Sequence, residues 1–241
     1  YNWEKGELAT ASIGLAVSFI SMTVGLFVGL VSGFFGGLVD DISNAITLGA
    51  GNGFSLTVTE LSRINTPQLV IGSSLHAGAI RVLDNIDYQG NLTLQNQGVS
   101  SGGISIEAAL GVGDHTLALA SGGNIAQTAA GVVTARSLLA LAGGSVVLGQ
   151  ASNHVSGNTL AGSAAGDFGF QNIDPLTIGT VGAFGFDATA NALQSMSAAG
   201  ISASGDVRVQ NVTGTLTLLA DISGRNIDLL TGRTLQTTGQ A

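Results

Sequence analysis

Cysteine is absent from this 241-residue chain, and charged and aromatic residues are scarce. Without cysteine there are no disulfides, no thiolate metal ligands and no cysteine nucleophile. Charged residues make up 9% of the chain, against about a quarter in an ordinary soluble domain. The seven Lys and Arg residues are outnumbered by 15 Asp and Glu, which gives a net charge of −8. Because so few cations could displace the counterions of a polyanion, we expect no nucleic-acid partner.

Glycine and small or aliphatic residues are abundant instead. The chain has 37 glycines and 45% hydrophobic residues. Disorder requires high charge and low hydrophobicity, and collagen requires glycine at every third position, so this composition excludes both. It is also unlike the composition of an average enzyme.

The distribution of charge divides the chain into two parts. Residues 9–39 contain no ionisable side chain, and Asp40 and Asp41 follow this stretch. We therefore expect residues 1–41 to form an apolar anchor or assembly segment. Residues 42–241, which are rich in Gly, Ala, Ser, Thr and Asn, are expected to form a repetitive body.

The apolar stretch is compatible with two conformations. As a helix it would be about 45 Å long, enough to cross a bilayer core of about 30 Å with tilt. Gly25, Gly29 and Gly33 would share one face, a pattern that allows helices to approach closely in lipid. As a strand, its alternating apolar residues would have to pair within the same body or be donated to a neighbouring subunit. The helix, with membrane contact through residues 9–39, is favoured, and the buried or donated strand is the alternative.

Short apolar triplets with a polar or small central residue recur from Leu69 onward. Each triplet predicts a strand core, and Gly-Gly, Gly-Asp and Ser-Gly pairs between them predict turns. The triplets are Leu69–Ile71, Ile80–Val82, Leu92–Leu94, Ile104–Ile106, Leu117–Leu119, Ile125–Gln127, Leu139–Leu141, Val146–Leu148, Phe168–Phe170, Leu176–Ile178, Val207–Val209, Leu216–Leu218 and Ile227–Leu229.

The spacing of these triplets predicts the architecture. Ile104, Ile125, Val146 and Phe168 follow one another at a nearly constant interval. A period of about 21 residues is typical of a solenoid coil. In a parallel β-helix the coils stack at about 4.8 Å, and side chains at one phase form columns inside the rod. We predict an all-β parallel β-helix of about eight coils, preceded by the apolar N-terminal segment.

Several of these segments resemble the repeat region of filamentous-haemagglutinin-like proteins, bacterial exoproteins and adhesins exported by two-partner secretion. The resemblance rests on Ala120–Gln127, Leu139–Gly149, Leu160–Phe168 and Leu176–Gly179, and spans about Ile46 to Ala241. It implies a right-handed parallel β-helix outside a Gram-negative cell that serves as a stalk or adhesive surface. It also implies an outer-membrane secretion partner. The charge-free stretch departs from the family pattern.

The ionisable residues of the repeats do not indicate catalysis. Sugar-cleaving enzymes cluster carboxylates and cations on one face. The closest pair of acids here is Asp84 and Asp87, with Arg81 nearby, and we interpret these three as part of a solvated loop. The same interpretation applies to two further sets: Asp114 with His115, and Asp206 with Arg208. We predict no catalytic residue and no enzymatic activity.

Metal, cofactor and modification sites are not predicted either. His76, His115 and His154 are evenly spaced, but their interval falls short of two full coils, so we interpret them as turn residues. Two segments match the glycan acceptor pattern, Asn91-Leu92-Thr93 and Asn211-Val212-Thr213, and both are expected to fall where strands begin.

We therefore predict a non-catalytic, extracellular, structural or adhesive β-helical segment displayed on a bacterial surface. Its expected partners are further copies of itself, stacked or filamentous, or a cell-surface receptor. The alternative is a subunit of an extracellular filament or tube that assembles through the apolar segment, and a carbohydrate-active β-helix enzyme is the third candidate. Because no cap follows the last repeat, we also expect either a piece of a longer protein or coil ends that stack on neighbours.

Overall fold

The computed structural model describes residues 44–51 and 54–237, and the predicted anchor segment of residues 1–41 lies outside them. The described part is a parallel β-solenoid of about eight turns with about 22 residues per turn. This confirms the predicted fold class. No helix in these ranges is long and apolar enough to cross a membrane.

Two long parallel sheets form the walls of the solenoid. Sheet A has the strand order β2-β1-β4-β7-β10-β12-β14-β19-β22. Its strands are β1 (Ile46–Leu48), β2 (Phe54–Leu56), β4 (Ile80–Val82), β7 (Ile104–Ile106), β10 (Ile125–Gln127), β12 (Val146–Leu148), β14 (Phe168–Asn172), β19 (Val207–Asn211) and β22 (Ile227–Thr231). A four-residue helix, α1 (Val58–Leu61), follows β2.

Sheet B has 12 strands, eight of which run in the order β23-β20-β15-β13-β11-β9-β6-β3, with β5, β8, β18 and β21 attached beside them. Its strands are β3 (Gln68–Ser73), β5 (Ile86–Asp87), β6 (Asn91–Asn96), β8 (Leu110–Gly111), β9 (Thr116–Ser121), β11 (Val133–Ala142), β13 (His154–Ala164), β15 (Leu176–Ile178), β18 (Ile201–Ala203), β20 (Leu216–Leu218), β21 (Ile222–Ser223) and β23 (Leu235–Thr237).

The register between coils follows the predicted period. Residues predicted to occupy equivalent positions are direct partners in sheet A: Ile104 with Ile125, Ile125 with Val146, Val146 with Phe168, and Val207 with Ile227. The ladder between sequential coils is therefore in phase with the apolar pattern. A slip of one residue would turn every interior side chain outward.

In the central strands of sheet A, alternate residues fill the interior. In β12, Val146 and Leu148 are fully buried, whereas Val147 between them is 54% exposed. Their partners Ile125 and Phe168 in the adjacent coils are also fully buried. The interior is thus a continuous stack of aliphatic and aromatic side chains along the rod.

A glycine pair at a corner brings successive coils close together. The Gly143 N–H donates to the Ser121 carbonyl of the preceding coil at 2.8 Å. A Cβ at Gly143 would overlap the carbonyl oxygen of Gly122. This explains why Gly-Gly pairs recur between the triplets of these two coils.

One asparagine points into the interior at another corner. The Asn153 side chain is fully buried, and its Nδ2 donates to the Leu148 and Gln171 carbonyls, each at 3.1 Å. Its Oδ1 accepts from the Val133 N–H at 2.9 Å and from Gln127 Nε2 at 2.6 Å. Because its polar atoms are paired, this amide ties three coils together without an unsatisfied buried group.

The regular period is interrupted between Phe168 and Val207. These two residues are direct partners, although nearly two coil lengths of chain separate them. The additional residues form an antiparallel hairpin of β16 (Thr180–Asp187) and β17 (Ala192–Ala199). Its base is closed because the Gly200 N–H donates to the Gly179 carbonyl at 2.7 Å. The solenoid therefore resumes in register after the hairpin. The triplet spacing did not predict this hairpin.

Two adjacent valines test the alternation in β12. Val146→Ala removes two fully buried methyl groups and should lower the free energy of unfolding by roughly 1.5–3 kcal/mol. Val147→Ala makes the same chemical change on the outer face and should shift it by less than about 0.5 kcal/mol. Urea unfolding followed by circular dichroism measures both. Equal losses from the two variants would contradict the assigned register.

Candidate functional site

The hairpin lies across the outer face of sheet B. Strand β16 contacts β3, β6, β9, β11 and β13, so it crosses five coils along the direction of stacking. A second apolar cluster forms beneath it, separate from the interior of the solenoid: Ala118, Ala120, Leu139, Ala161, Val181 and Met196. The hairpin thus gives strands β9, β11 and β13 of sheet B apolar packing on both faces.

This cover corrects the predicted orientation of one triplet. Leu139–Leu141 was expected to place its leucines in the internal columns, like the other triplets. Leu139 is instead the partner of Ala118 and lies under the hairpin, and Ala140 belongs to the interior cluster. The prediction failed because both faces of β11 are apolar here, so hydrophobicity alone does not reveal which residues face inward.

Polar contacts fasten the hairpin to sheet B. Thr93, which is fully buried, donates from Oγ1 to the Phe184 carbonyl at 2.6 Å. The Phe186 N–H donates to Gln95 Oε1 at 2.7 Å. Gly185, between these two phenylalanines, is required for the close approach, since a Cβ there would lie 2.8 Å from Gln95 Oε1. The hairpin is therefore held by specific hydrogen bonds in addition to apolar packing.

Beside these contacts an open cleft of about 270 Å³ separates the hairpin from sheet B. The sheet contributes Gln68, Asn91, Thr93 and Thr116, and the hairpin contributes Gly182, Ala183, Phe184, Ser195, Met196 and Ser197. None of these side chains is ionisable. The cleft is therefore an electrically neutral site lined by amide, hydroxyl and apolar groups.

Several polar groups in this cleft are available to a ligand. Asn91 Oδ1 accepts from the Thr116 N–H at 2.9 Å, while its Nδ2 has no partner among the described residues. The hydroxyls of Thr116, Ser195 and Ser197 likewise make no hydrogen bond within residues 44–51 and 54–237. Gln68 Nε2 makes only long contacts in this part of the chain, including one of 3.4 Å to Thr93 Oγ1. Ser195 and Ser197 alternate along β17 with Met196, which packs on sheet B, so the polar side chains that face into the cleft belong to the sheet.

Arg81, Asp84 and Asp87 each contact a different partner, and Arg81 and Asp87 lie in strands β4 and β5 and not in the expected loop. Arg81 forms a bidentate ion pair with Glu107 of the next coil, with both N–O distances at 2.7 Å. Asp84 accepts from the Ala50 N–H at 2.9 Å. Asp87 accepts from Gln89 Nε2 at 2.8 Å. These contacts link Arg81, Asp84 and Asp87 to different neighbours.

Asp206 and Arg208 also form ion pairs with residues of the next coil. The hydrogen bond from Arg225, followed by that from Asn226, lowers the pKa of Asp206. Arg208 faces its ladder partner Asp228 with a closest N–O distance of 3.4 Å. Both pairs connect the coil of β19 to the coil of β22 on the exposed surface of the rod. No local sequence pattern indicated these partners.

The three histidines lie in different surroundings. His76 is buried. The backbone N–H of His115 donates to the Val112 carbonyl in a turn, at 3.2 Å. The imidazole Nδ1 of His154 contacts the carboxylate of Asp174. Within the described ranges, no group of three or more His, Asp or Glu residues is arranged to hold a metal ion.

The two glycan acceptor patterns also differ in their surroundings. Asn211 ends β19 and so does not begin a strand as expected; it is buried, and its Nδ2 donates to the Thr215 carbonyl at 2.9 Å. Asn91 lies in the hairpin cleft.

Comparison with known proteins found no relative of this chain. No family model, no curated protein and no solved structure matches the chain. The resemblance to filamentous-haemagglutinin-like repeats therefore rests on the sequence segments alone.

Excision of the hairpin tests whether it is a cover or part of the scaffold. Since Gly179 and Gly200 are hydrogen-bonded, an Asn-Gly linker can replace residues 180–199 as a two-residue turn. We expect the strand signal in circular dichroism to persist. Binding of the dye ANS should increase several-fold because Leu139 and its neighbours lose their cover. Loss of the strand signal would instead make the hairpin essential to the solenoid.

The Arg81–Glu107 ion pair should stabilise the folded state at neutral pH and lose this effect on acidification. The hydrogen bond from Arg81 lowers the pKa of Glu107, so the folded state favours the carboxylate. This stabilisation is present at neutral pH and is lost as the pH falls below the ordinary glutamate pKa of about 4.3. Glu107→Gln should lower the melting temperature by about 1–3 °C at pH 7 and by less at pH 3.

Asp228→Asn is the matched control for this variant. Its pair with Arg208 is longer, and both side chains are more than half exposed. We expect a smaller change in melting temperature across the same pH range. An effect of Glu107→Gln that grows on acidification would contradict the assigned role of the pair.

Proposed function

We propose that this chain is a non-catalytic structural and adhesive β-solenoid, displayed outside a Gram-negative bacterial cell. The observation that carries the proposal is the in-register stack of coils. Eight coils at about 4.8 Å make a rod about 40 Å long with interior columns along its length. Such a rod can hold a surface away from its attachment point without any chemical step.

The use of charge supports a structural role over a catalytic one. Arg81, Arg208 and Arg225 each pair with an acid of an adjacent coil. These cations therefore reinforce the stack. An acidic polysaccharide would have to compete with these carboxylates for them, so they are poorly placed to stabilise charge in a reaction.

The sequence resemblance supports the location and the export route. Filamentous-haemagglutinin-like exoproteins carry similar Gly-Gly-bounded repeats, and cross the outer membrane with a dedicated secretion partner. We extend both features to this chain. The absence of cysteine and the scarcity of charge are compatible with a rod whose stability comes from stacking.

The filament alternative accounts for one observation. Ile227 and Leu235 occupy interior columns, as partners of Val207 and Leu216, yet they are 47% and 46% exposed in the last described coil. Another coil in register would cover both, whether it came from the same polypeptide or from a second copy. In this alternative, coil-on-coil stacking and the apolar segment of residues 9–39 build the assembly.

Electron microscopy and surface labelling test the proposal. We expect residues 42–241 to give rods whose length, about 40 Å, follows from the coil spacing. Antibody to this body should label intact bacteria that produce the full chain. Labelling that requires permeabilised cells would contradict surface display.

Two further outcomes separate the alternatives. Long polymers formed only when residues 1–41 are present would favour the filament subunit. Turnover of an acidic polysaccharide that Asp84→Ala or Asp87→Ala abolishes would overturn the non-catalytic assignment.

A further inference from the structure

We propose that the outer edge of β17 (Ala192–Ala199) is a self-association surface, on which β17 of a second copy of this chain pairs as an antiparallel strand. The two hairpins then form one four-stranded sheet in the order β16-β17-β17-β16. This contact is made by the hairpin and not by the coil ends, so it differs from the stacking of the filament alternative. It does not depend on the proposed adhesive function.

The other edge of the hairpin, which belongs to β16, is already occupied by sheet B. The Phe184 carbonyl accepts from Thr93 Oγ1 at 2.6 Å. The Phe186 carbonyl accepts from the Ser74 N–H at 2.9 Å, and the Phe186 N–H donates to Gln95 Oε1. These backbone groups therefore point away from β17, and their contacts with sheet B leave no place for another strand beside them.

The outer edge of β17 is open instead. In an antiparallel pair, residues that bond to the neighbouring strand alternate with residues whose N–H and C=O groups point away from it. Phe186 is of the second kind, so its register partner on β17 is too. The alternation gives four such residues on β17: Leu193, Ser195, Ser197 and Ala199. Their backbone groups make no hydrogen bond on this edge to any residue that the structure describes.

β17 lacks the features that usually protect an edge strand from pairing. Natural edge strands are short, charged, bulged, covered or interrupted by proline. β17 has eight residues, against about 5–6 in an average strand, and it pairs with β16 without a register shift. Residues 188–205 contain no ionisable side chain and no proline. Of the eight residues Met196 alone is buried, and Leu193 is 61% exposed. This edge is therefore accessible and suited to pairing.

The unpaired backbone groups specify the class of occupant. They recur at every second residue, about 6.8 Å apart, which is the repeat of an extended polypeptide. In strand addition, main-chain hydrogen bonds of this kind provide the affinity. Charge then favours a second copy at this place. The chain has a net charge of −8, so copies repel one another over most of their surface, whereas the uncharged strip of residues 188–205 lets them approach.

The sequence of β17 is compatible with itself in this pairing. Across a two-fold axis, residues with outward groups must face residues of the same kind. A register centred on Met196 meets this condition, because it places Ser195 opposite Ser197 of the partner subunit and Leu193 opposite Ala199 of the partner subunit. Each such pair can exchange two N–H–O hydrogen bonds. The paired side chains are small or apolar, so no like charges oppose each other.

Disulfide cross-linking of the full chain tests the contact and its register. The chain has no cysteine, so an introduced thiol has no competitor. Directly opposed residues have Cα atoms about 5.5 Å apart, within the range of about 4.4–6.8 Å that a disulfide spans. Ser195→Cys and Ser197→Cys, purified separately and mixed under mild oxidation, should give covalent dimers on a non-reducing gel. Either variant alone should give at least tenfold less, because identical positions are only diagonal neighbours. Equal yields from the mixture and from the single variants would overturn the proposal.

Charged variants in the same cysteine backgrounds separate this contact from random collision. Leu193→Lys with Ala199→Lys places lysines opposite each other and should lower the dimer yield at least threefold. The added lysines reduce the net negative charge, so a general electrostatic effect would raise the yield instead. Thr180→Lys with Thr189→Lys is the control, since it adds the same charge to the hairpin outside β17, and it should not lower the yield. Leu193→Glu with Ala199→Glu in one copy should restore dimers with the lysine variant. An unchanged yield in the lysine variant, or no restoration by glutamate, would contradict the proposed pairing.

Discussion

Coil-to-coil backbone hydrogen bonding is the constraint on which the rest of this structure depends. In sheet A, the N–H groups of Ile104, Ile125 and Val146 each donate to a carbonyl of the following coil, at 2.8–2.9 Å. Because these bonds link neighbouring coils in register, every interior residue must match the one above and below it. Interior columns, glycine corners and the buried Asn153 amide all satisfy this requirement.

The outer faces are free of this constraint and differ from each other. On sheet A, ion pairs such as Arg81 with Glu107 connect successive coils. On sheet B, the hairpin covers an apolar strip and leaves a neutral cleft beside it. The hairpin can be inserted because Gly179 and Gly200 meet at its base, so the interior ladder continues on either side. A uniform scaffold thus carries a local, non-repetitive feature on one of its outer faces.

Much of the scaffold was predictable because its signal is local and repeated. Triplets such as Ile104–Ile106 and Val146–Leu148 are strands, and their spacing equals the observed register. The hairpin left a detectable trace, since the interval between ladder partners nearly doubles after Phe168. Its docking was not predictable, because β16 contacts strands as distant in sequence as β3.

The amino-acid sequence by itself determined the solenoid, since period, alternation and turn residues act between neighbours along one strand or one coil. Only the tertiary structure decided which side of β11 Leu139 occupies and where Arg81 finds Glu107. It also decided that Asn91 and Met196 border one cleft. These outcomes depend on coil lengths that vary from one turn to the next and on the path of an inserted hairpin. Such contacts join residues far apart in the chain, and no local pattern encodes them.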